Sequence, residues 1–263
     1  MSRLVISLLT LALVVLASPR ARAFEDSDFK AKVYDQESGK QKLLFTYQRK
    51  NEQKNDLRVG TSTYFDPASP TEPVAIETTE FAKDGAIEKV VSYHMSQKQI
   101  GAEGQIDVSK DKINFTFAKN GSTKKSEETL TDNFVVGPSI VLYLQRHWDE
   151  ISKGDKIKIR FGVPDRAETV GFEFFKDRDE SVTNDSVTVK TWVIKMKPSS
   201  FIIAALVKPL FFYMLPDGSR LIEVHGRTQL KRKVDGSYKD LDAVTVYDYA
   251  SGPVPAPGSV NSK

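Results

Sequence analysis

Short runs of alternating apolar and polar residues, separated by residues that form tight turns, recur along the first half of this chain. The clearest runs are Leu43, Phe45, Tyr47 and then Ile113, Phe115, Phe117. Alternation with a period of two gives a strand one apolar face. Asn120-Gly121 favours a tight turn because both residues tolerate a positive φ. The pattern from 30 to 117 therefore predicts a meander of antiparallel strands, with the proline-rich stretch 66–73 as an exposed loop.

Two segments in the second half have helical character. Pro138 suits the first turn of a helix, and Ile140, Leu144, Trp148 and Ile151 follow at spacings of four, four and three. This spacing predicts one amphipathic helix over 138–152. The segment 199–208 begins with two serines that can cap a helix and is apolar on all sides, which predicts a short buried helix.

Further strands are predicted around these helices, and the last of them form two hairpins. One hairpin turns at Pro216-Asp217-Gly218 and the other at Asp235-Gly236. The prediction for 24–250 is a single mainly β domain of about eleven strands. It forms one strongly curved antiparallel sheet, an open half-barrel, with two helices on the concave side. The Pro/Gly/Ser-rich tail 251–263 is expected to be disordered.

The N-terminal 23 residues have the pattern of a secretory signal peptide. Arg3 precedes the apolar run LVISLLTLALVVLA, and Ala21-Arg22-Ala23 has the small-x-small form of a cleavage site. The apolar run would reach only about 21 Å as a helix, short of a ~30 Å hydrocarbon core. We therefore expect export to the periplasm, cleavage before Phe24 and no integral membrane span in the mature chain.

Charge and composition exclude several classes of function. The leader carries three arginines and no acid, so 35 basic and 35 acidic residues remain after it. That balance argues against a nucleic-acid partner. The chain has no cysteine, which rules out disulfides, thiolate metal sites and a cysteine nucleophile.

Motifs for catalysis or cofactor binding are missing, so no catalytic residue, metal ligand or cofactor is predicted. There is no Gly-x-Ser-x-Gly elbow, dinucleotide fingerprint or phosphate-binding loop. His147 and Glu150 could share a metal, but no third ligand lies nearby, and a packing role for His147 is favoured. Neither His94 nor His225 has a recognisable carboxylate partner in the sequence. A carboxylate pair from distant strands remains open, because such pairs leave no local motif.

Aromatic residues are the main candidates for a binding site. Consecutive residues of a strand point to opposite faces, so Phe211 and Phe212 place apolar surface on both sides of the sheet. One side is core, and the other needs a helix, a ligand or a partner. The candidate ligand-binding residues are Trp148, Phe201, Phe211, Phe212 and Tyr213.

The second half of the chain also resembles a known group of proteins. The motifs His147-Trp148-Asp149-Glu150 and Val163-Pro164-Asp165-Arg166, with the segments 198–209 and 220–226, are similar to a family of exported, uncharacterised β proteins of Gram-negative bacteria. That family is similar in fold to periplasmic lipoprotein carriers. The resemblance implies a periplasmic location and a half-barrel, and it implies no catalytic residues.

These observations favour a non-enzymatic periplasmic protein that binds an apolar ligand, such as a lipid or lipoprotein, or an envelope protein. A hydrolase of an envelope polymer with a carboxylate pair is the first alternative. A structural component of an envelope complex is the second. An open apolar cavity, two carboxylates ~5–10 Å apart in a cleft, and a fully packed core would distinguish the three.

The leader generates the first testable prediction. The exported protein should begin at Phe24, because the small residues at 21 and 23 direct cleavage after Ala23. N-terminal sequencing of protein recovered from the periplasm measures this directly, and an exported form that begins at Met1 would contradict it.

Overall fold

The structure, a computed structural model, describes residues 28–85, 87–205 and 207–249. Within these ranges the chain is mainly β, with fifteen strands in one sheet and three short α-helices, so the prediction of about eleven strands and two helices was too low. The predicted leader 1–23 and tail 251–263 lie outside the described residues. The strands are β1 Phe29–Asp35, β2 Leu43–Lys54, β3 Leu57–Asp66, β4 Ser69–Asp84, β5 Ile87–Gln97, β6 Ala102–Val108, β7 Lys112–Lys119, β8 Ser122–Thr129, β9 Phe134–Val135, β10 Ile157–Val163, β11 Glu168–Asn184, β12 Val187–Pro198, β13 Leu210–Met214, β14 Leu221–Val234 and β15 Ser237–Tyr249; the helices are α1 Ser139–Arg146, α2 Trp148–Ser152 and α3 Phe201–Ala204.

The first strand lies in the middle of the sheet. It pairs antiparallel with β2 on one side and with β15 on the other. From this centre one wing runs outward through β2 to β8, and the other runs from β15 back to β9. Neighbouring strands in both wings are antiparallel, except that β9 pairs parallel with β10. The described sheet therefore has two edges, β8 and β9, and is not closed.

The two wings curl toward each other. Gln229 on β14 donates from Nε2 to Glu77 Oε1 on β4 at 2.8 Å, and Gln99, just after β5, donates to the Lys231 carbonyl at 2.9 Å. The strands β3, β2, β1 and β15 lie between β4 and β14 in the sheet order. Contacts between strands so far apart in the sheet require it to curve until its inner faces meet.

Side chains bring the two ends of the sheet together. Glu128 on β8 accepts hydrogen bonds from the Thr169 backbone N–H at 2.8 Å and from Arg160 at 3.3 Å. Ser126 on β8 donates to the Ala167 carbonyl. We call this contact of β8 with β10 and β11 the seam. It contains side-chain hydrogen bonds in place of a backbone ladder.

The predicted helix over 138–152 is interrupted. It forms α1 and α2, with His147 between them at φ −99° and ψ 19°. Ile140, Leu144, Trp148 and Ile151 are nevertheless all buried in the main apolar cluster, as their spacing predicted. Trp148 Nε1 donates to the Pro216 carbonyl at 3.1 Å, so the second helix is docked on the β13–β14 turn.

Two other local predictions need correction. The proline-rich stretch is exposed at 67–72, as predicted, but it is not a long loop, because β4 begins at Ser69 and residues 70–72 bulge between Ser69, opposite Asp66, and Pro73, opposite Phe65. The helix at 199–208 is only four residues long, and it is not buried. Phe201 is 90% exposed and Ile202 76% exposed, because they lie on the solvent side of a segment whose other side packs on the core through Ile203 and Val207.

The seam generates the second prediction. Partial burial of Glu128 opposes its ionisation, but hydrogen bonds from Thr169 and Arg160 outweigh it and hold the pKa of this carboxyl below its usual range. A carboxyl with a lowered pKa in the folded state stabilises at pH above its unfolded value and loses that contribution as pH falls through the folded value. Glu128→Gln should therefore lower the melting temperature at pH 7, and the difference from the unmodified protein should shrink below about pH 4.5.

Glu127→Gln is the matched control. Glu127 pairs with Lys112 at 2.7 Å in an exposed ion pair, and exposed pairs contribute little to stability. Thermal unfolding of both variants at pH 7 and pH 3 measures the contribution of the seam. Equal melting temperatures for Glu128→Gln and Glu127→Gln at pH 7 would contradict a stabilising role of Glu128 in the seam.

Candidate ligand-binding site

The curled sheet encloses a cavity of about 400 Å³. Its walls come from both wings and from α1, which lies inside the curl. Apolar side chains make most of the wall, among them Phe29, Val33, Ile140, Val141, Val170, Phe172, Met196, Phe212, Leu221 and Val224. On β1 the lining residues Phe29 and Val33, and on β11 Val170 and Phe172, have the even spacing expected because every second side chain of a strand faces inward.

A polar patch interrupts this wall on β2, β3 and β4. Arg49, Ser62 and Glu77 are direct cross-strand neighbours in the ladder, so they share the inner face. Arg49 is 1% exposed and Glu77 is 3% exposed. Arg49 donates from an Nη atom to Ser62 Oγ at 3.1 Å. Two buried charged groups thus lie in the wall of an otherwise apolar cavity.

Hydrogen bonds from three side chains satisfy the Glu77 carboxylate. Tyr93 donates to Oε1 at 2.7 Å, Gln229 donates to the same oxygen at 2.8 Å, and Tyr64 donates to Oε2 at 3.0 Å. Burial, reinforced by the charge of Glu77, raises the pKa of Tyr93 well above its usual value, and the same two causes raise the pKa of Tyr64. Both phenols therefore keep their protons and stay donors at physiological pH.

Close packing around the patch requires two glycines. A Cβ on Gly60 would lie 2.6 Å from Cζ of Arg49, so its absence lets the guanidinium lie against β3. A Cβ on Gly137, which has a φ of +50°, would lie 2.5 Å from the Tyr93 ring and 2.7 Å from Glu77. The chain can therefore enter α1 directly beside the Glu77 network only without a side chain at 137.

Three acidic residues line the wall, Glu77, Asp165 and Asp240, and Asp165 is exposed to solvent. Glu77 is bound by its three donors. Asp240, at the cavity rim, pairs with Lys231 at 2.7 Å and with Arg227, and the hydrogen bond from Lys231 holds the pKa of this carboxyl below its usual range. A glycosidase needs one carboxyl that remains protonated near the working pH. The geometry suits binding of an apolar molecule with a polar end better than acid catalysis.

The five residues singled out from the sequence do not form one site. Phe212 lines the cavity and packs edge-on to Phe174 at 5.8 Å. Phe211 and Tyr213 lie on the outer face of the sheet in a small separate cluster with Val182, Val193 and Ile222. Trp148 is buried below the β13–β14 turn and stacks on Trp192 at 5.5 Å, and Phe201 is exposed at the start of α3.

The histidines each contact a carboxylate away from the cavity wall. His147 Nδ1 lies 2.9 Å from Glu150, His225 lies 2.7 Å from Glu223, and His94 lies 3.0 Å from Glu103. The last two partners were not recognised in the sequence, because they depend on strand geometry. Among the described residues no group of three His, Asp or Glu side chains could hold a metal ion.

Sequence reasoning missed the polar patch, although one signal pointed to it. Phe45, Tyr47 and Arg49 alternate along β2, so the period that places the two aromatics inside also places Arg49 inside. Glu77 occupies the same kind of position after Ala75 on β4. A charged residue in phase with an apolar strand face is the recognisable sign of a buried polar site.

Comparison with known proteins gives similarity at the level of folds. No protein-family model matches the chain, and no curated protein is significantly similar to it. A β-barrel-like protein of the domain of unknown function DUF1849 from Brucella abortus aligns with 85% of this chain and 94% of its own, at 10% identity and a TM-score of 0.45. An exported-protein candidate with a YmcC-like fold from Bacteroides fragilis covers 86% and 95%, at 10% identity and a TM-score of 0.30. A porin-like protein from Bacteroides uniformis covers 86% and 98%, at 10% identity and a TM-score of 0.24.

All three likenesses are at 10% identity with TM-scores below 0.5. At this level of identity they carry over no ligand and no activity. Among the described residues, each of the helices is too short to cross a membrane.

The opposite orientations of Phe211 and Phe212 generate the third prediction. Phe212→Ala removes a ring that is 3% exposed from the main cluster and should cost about 3–5 kcal/mol of unfolding free energy. Phe211 is half-buried on the outer face, so Phe211→Ala should cost clearly less. Urea unfolding of the two variants measures the difference, and equal losses would show that the two faces are equally packed.

Proposed function

We propose that this protein is a non-enzymatic periplasmic binding protein and that its ligand is an apolar molecule held in the cavity between the two wings. The observation that carries the proposal is the cavity itself. Its volume of about 400 Å³ falls within the ~300–1,000 Å³ of small-molecule sites, and its wall is mostly apolar. The signal-peptide pattern at 1–23 supports a periplasmic location.

The wall also favours a ligand with one polar end. An aliphatic chain would lie against Phe172, Met196 and Phe212, where the wall is apolar. A hydroxyl, ester or carboxyl group would lie at the Arg49 and Ser62 side of the polar patch, because a ligand carboxylate beside Glu77 would be repelled. Buried polar groups are costly next to hydrocarbon, which is why a polar ligand atom fits this end better. The chemistry is that of a lipid.

The alternatives gain less support. A purely structural protein has no need for a cavity of this size in the centre of its core. A hydrolase would need a carboxyl acid inside the wall. Glu77 and Asp240 are held by donors and cations, and the third acid of the wall, Asp165, is exposed to solvent. Of the five residues proposed from the sequence, Phe212 is the one that we retain as a contact inside the cavity.

The fourth prediction tests ligand binding directly. Protein purified from the periplasm should carry a copurifying lipid-like molecule, or should bind a fluorescent fatty acid after delipidation. Native mass spectrometry followed by solvent extraction measures the first, and titration of the fatty acid measures the second. A ligand-free protein that also binds no fatty acid would contradict the proposal.

Adjacent residues of α3 supply a matched pair of variants. Ile203 lines the cavity and is partly buried, whereas Ile202 is 76% exposed and is not part of the wall. Ile203→Trp should fill part of the cavity and weaken fatty-acid binding about tenfold or more, because an obstructed site must exclude part of the chain. Ile202→Trp adds the same ring outside the cavity and should bind as the unmodified protein does.

A second obstruction separates blocking from local damage at α3. Val224→Trp introduces the same bulk from β14, on a different part of the wall. Both obstructing variants should weaken binding, with melting temperatures recorded to show that the fold persists. Unchanged affinity in both folded variants would place the ligand elsewhere.

A further inference from the structure

The start of α3 exposes more apolar surface than any other part of the described chain. Phe201 is 90% exposed and Ile202 76% exposed, whereas the next large apolar side chain, Val187, is 52% exposed. Single exposed apolar residues are common, but two adjacent bulky ones in a raised turn are typical of an interaction site. We name Phe201 and Ile202, with the flanking Lys197 and Lys208, the α3 tip.

The α3 tip borders the cavity. Ile203 and Val207 follow it directly, and both line the cavity while remaining partly exposed. By contrast, Ile140 and Val141 of α1 line the same cavity and are buried. The cavity is therefore covered at α1, and part of its rim lies at the α3 segment. A surface that contacts the α3 tip lies beside this part of the rim.

The flanking charges help to identify the kind of surface that the tip fits. Lys197 and Lys208 each lie beside an acid of a neighbouring strand, and exposed ion pairs of this kind are weak, so both ammonium groups remain available to phosphates. The Lys208 side chain is 83% exposed, with Asp242 3.5 Å away, and Lys197 is 40% exposed beside Glu173 at 2.9 Å. Two bulky apolar side chains between lysines match the chemistry of an anionic lipid surface, which offers hydrocarbon below a layer of phosphates.

We propose that the α3 tip docks this protein on a membrane with anionic headgroups. Phe201 and Ile202 insert at the level of the acyl-chain boundary, and Lys197 and Lys208 lie at the phosphates. The docking deepens the proposed function and rests on it, because it places the part of the cavity rim formed by Ile203 and Val207 against a source of lipid. A second copy of the chain fits less well, because a two-fold contact through this patch would bring the same lysines together.

Vesicle binding tests the docking. The exported protein is mixed with phosphatidylcholine vesicles that contain or lack phosphatidylglycerol, and the bound fraction is measured by flotation. The unmodified protein should bind vesicles with phosphatidylglycerol, more weakly as salt is raised, and should bind pure phosphatidylcholine less. Phe201→Ser with Ile202→Ser should reduce binding about tenfold or more, since the inserted apolar area is lost.

Val187→Ser is the matched control, since it removes an exposed apolar side chain at the far end of β12. It should leave binding unchanged. All variants share the same N-terminus, verified by intact mass, so the leader contributes equally to each. The proposal is overturned if the unmodified protein does not bind anionic vesicles, if the α3 variant binds as well as the control, or if the tip instead mediates a dimer that the variant dissolves.

Fatty-acid titration without vesicles separates this proposal from the proposed function. If the cavity binds lipid but the α3 tip does not dock, the unmodified protein binds the fatty acid and does not bind vesicles. If docking holds but the cavity is not a lipid site, vesicle binding depends on Phe201 and Ile202 while fatty-acid binding is absent. Both hold if the α3 variant binds free fatty acid normally but takes up vesicle lipid slowly.

Discussion

The pairing of β1 with β15 is the contact on which the rest of the structure depends. All seven residues of β1 pair with β15, from Phe29 opposite Tyr249 to Asp35 opposite Ala243, across about two hundred residues of chain. Closing so long a loop costs conformational entropy, although the cost rises only slowly with length. An aromatic cluster offsets it, because Phe29 packs against Tyr47 at 5.6 Å and Tyr247 at 5.4 Å. Without this junction the two wings would be separate meanders, and neither could cover its own inner face.

The buried polar groups connect the same two wings from inside. Glu77 comes from β4 and Gln229 from β14, so the hydrogen bond between them crosses the interior of the curl. A buried carboxylate is tolerated only when hydrogen-bond donors surround it. Here the hydroxyl groups of Tyr64 and Tyr93 donate the other two hydrogen bonds to Glu77. The network that holds the curl therefore also forms the polar end of the cavity. The curl of the sheet and the polar end of the cavity therefore depend on the same residues, with Glu77 at the centre of the network.

Sequence patterns predicted the strands that have one apolar face and missed those that do not. Both C-terminal hairpins turn at the predicted residues, between β13 and β14 and between β14 and β15. In contrast, β8 (Ser122–Thr129) has no apolar alternation, because it is an edge strand with little to bury. Arg49 and Phe212 show how far the site could be predicted. The inward orientation of Arg49 follows from the period of two along β2, whereas for Phe211 and Phe212 the period predicts only opposite faces. The cavity itself depends on a curl that only distant contacts such as Glu77–Gln229 create. The exposure of α3 could not be predicted either, because an all-apolar segment occurs both as a buried helix and as an exposed interaction surface.

The open seam has a physical consequence for the cavity. A closed barrel would join its last strands by backbone hydrogen bonds, and any widening would break a ladder. Here the ends of the sheet meet through Ser126 and Glu128, whose partners are the backbone at Ala167 and Thr169. Both edges are also protected from pairing with other chains, because β8 carries the charged pairs Lys124-Lys125 and Glu127-Glu128, and β9 has only two residues. Widening the curl at the seam would break these side-chain hydrogen bonds and the apolar packing of Ala167 with Ile106 and Phe115, whereas the pairing of β1 with β15 and the ladders of both wings involve none of these contacts. The width of a site built between such wings is therefore set by side-chain packing and not by a backbone ladder.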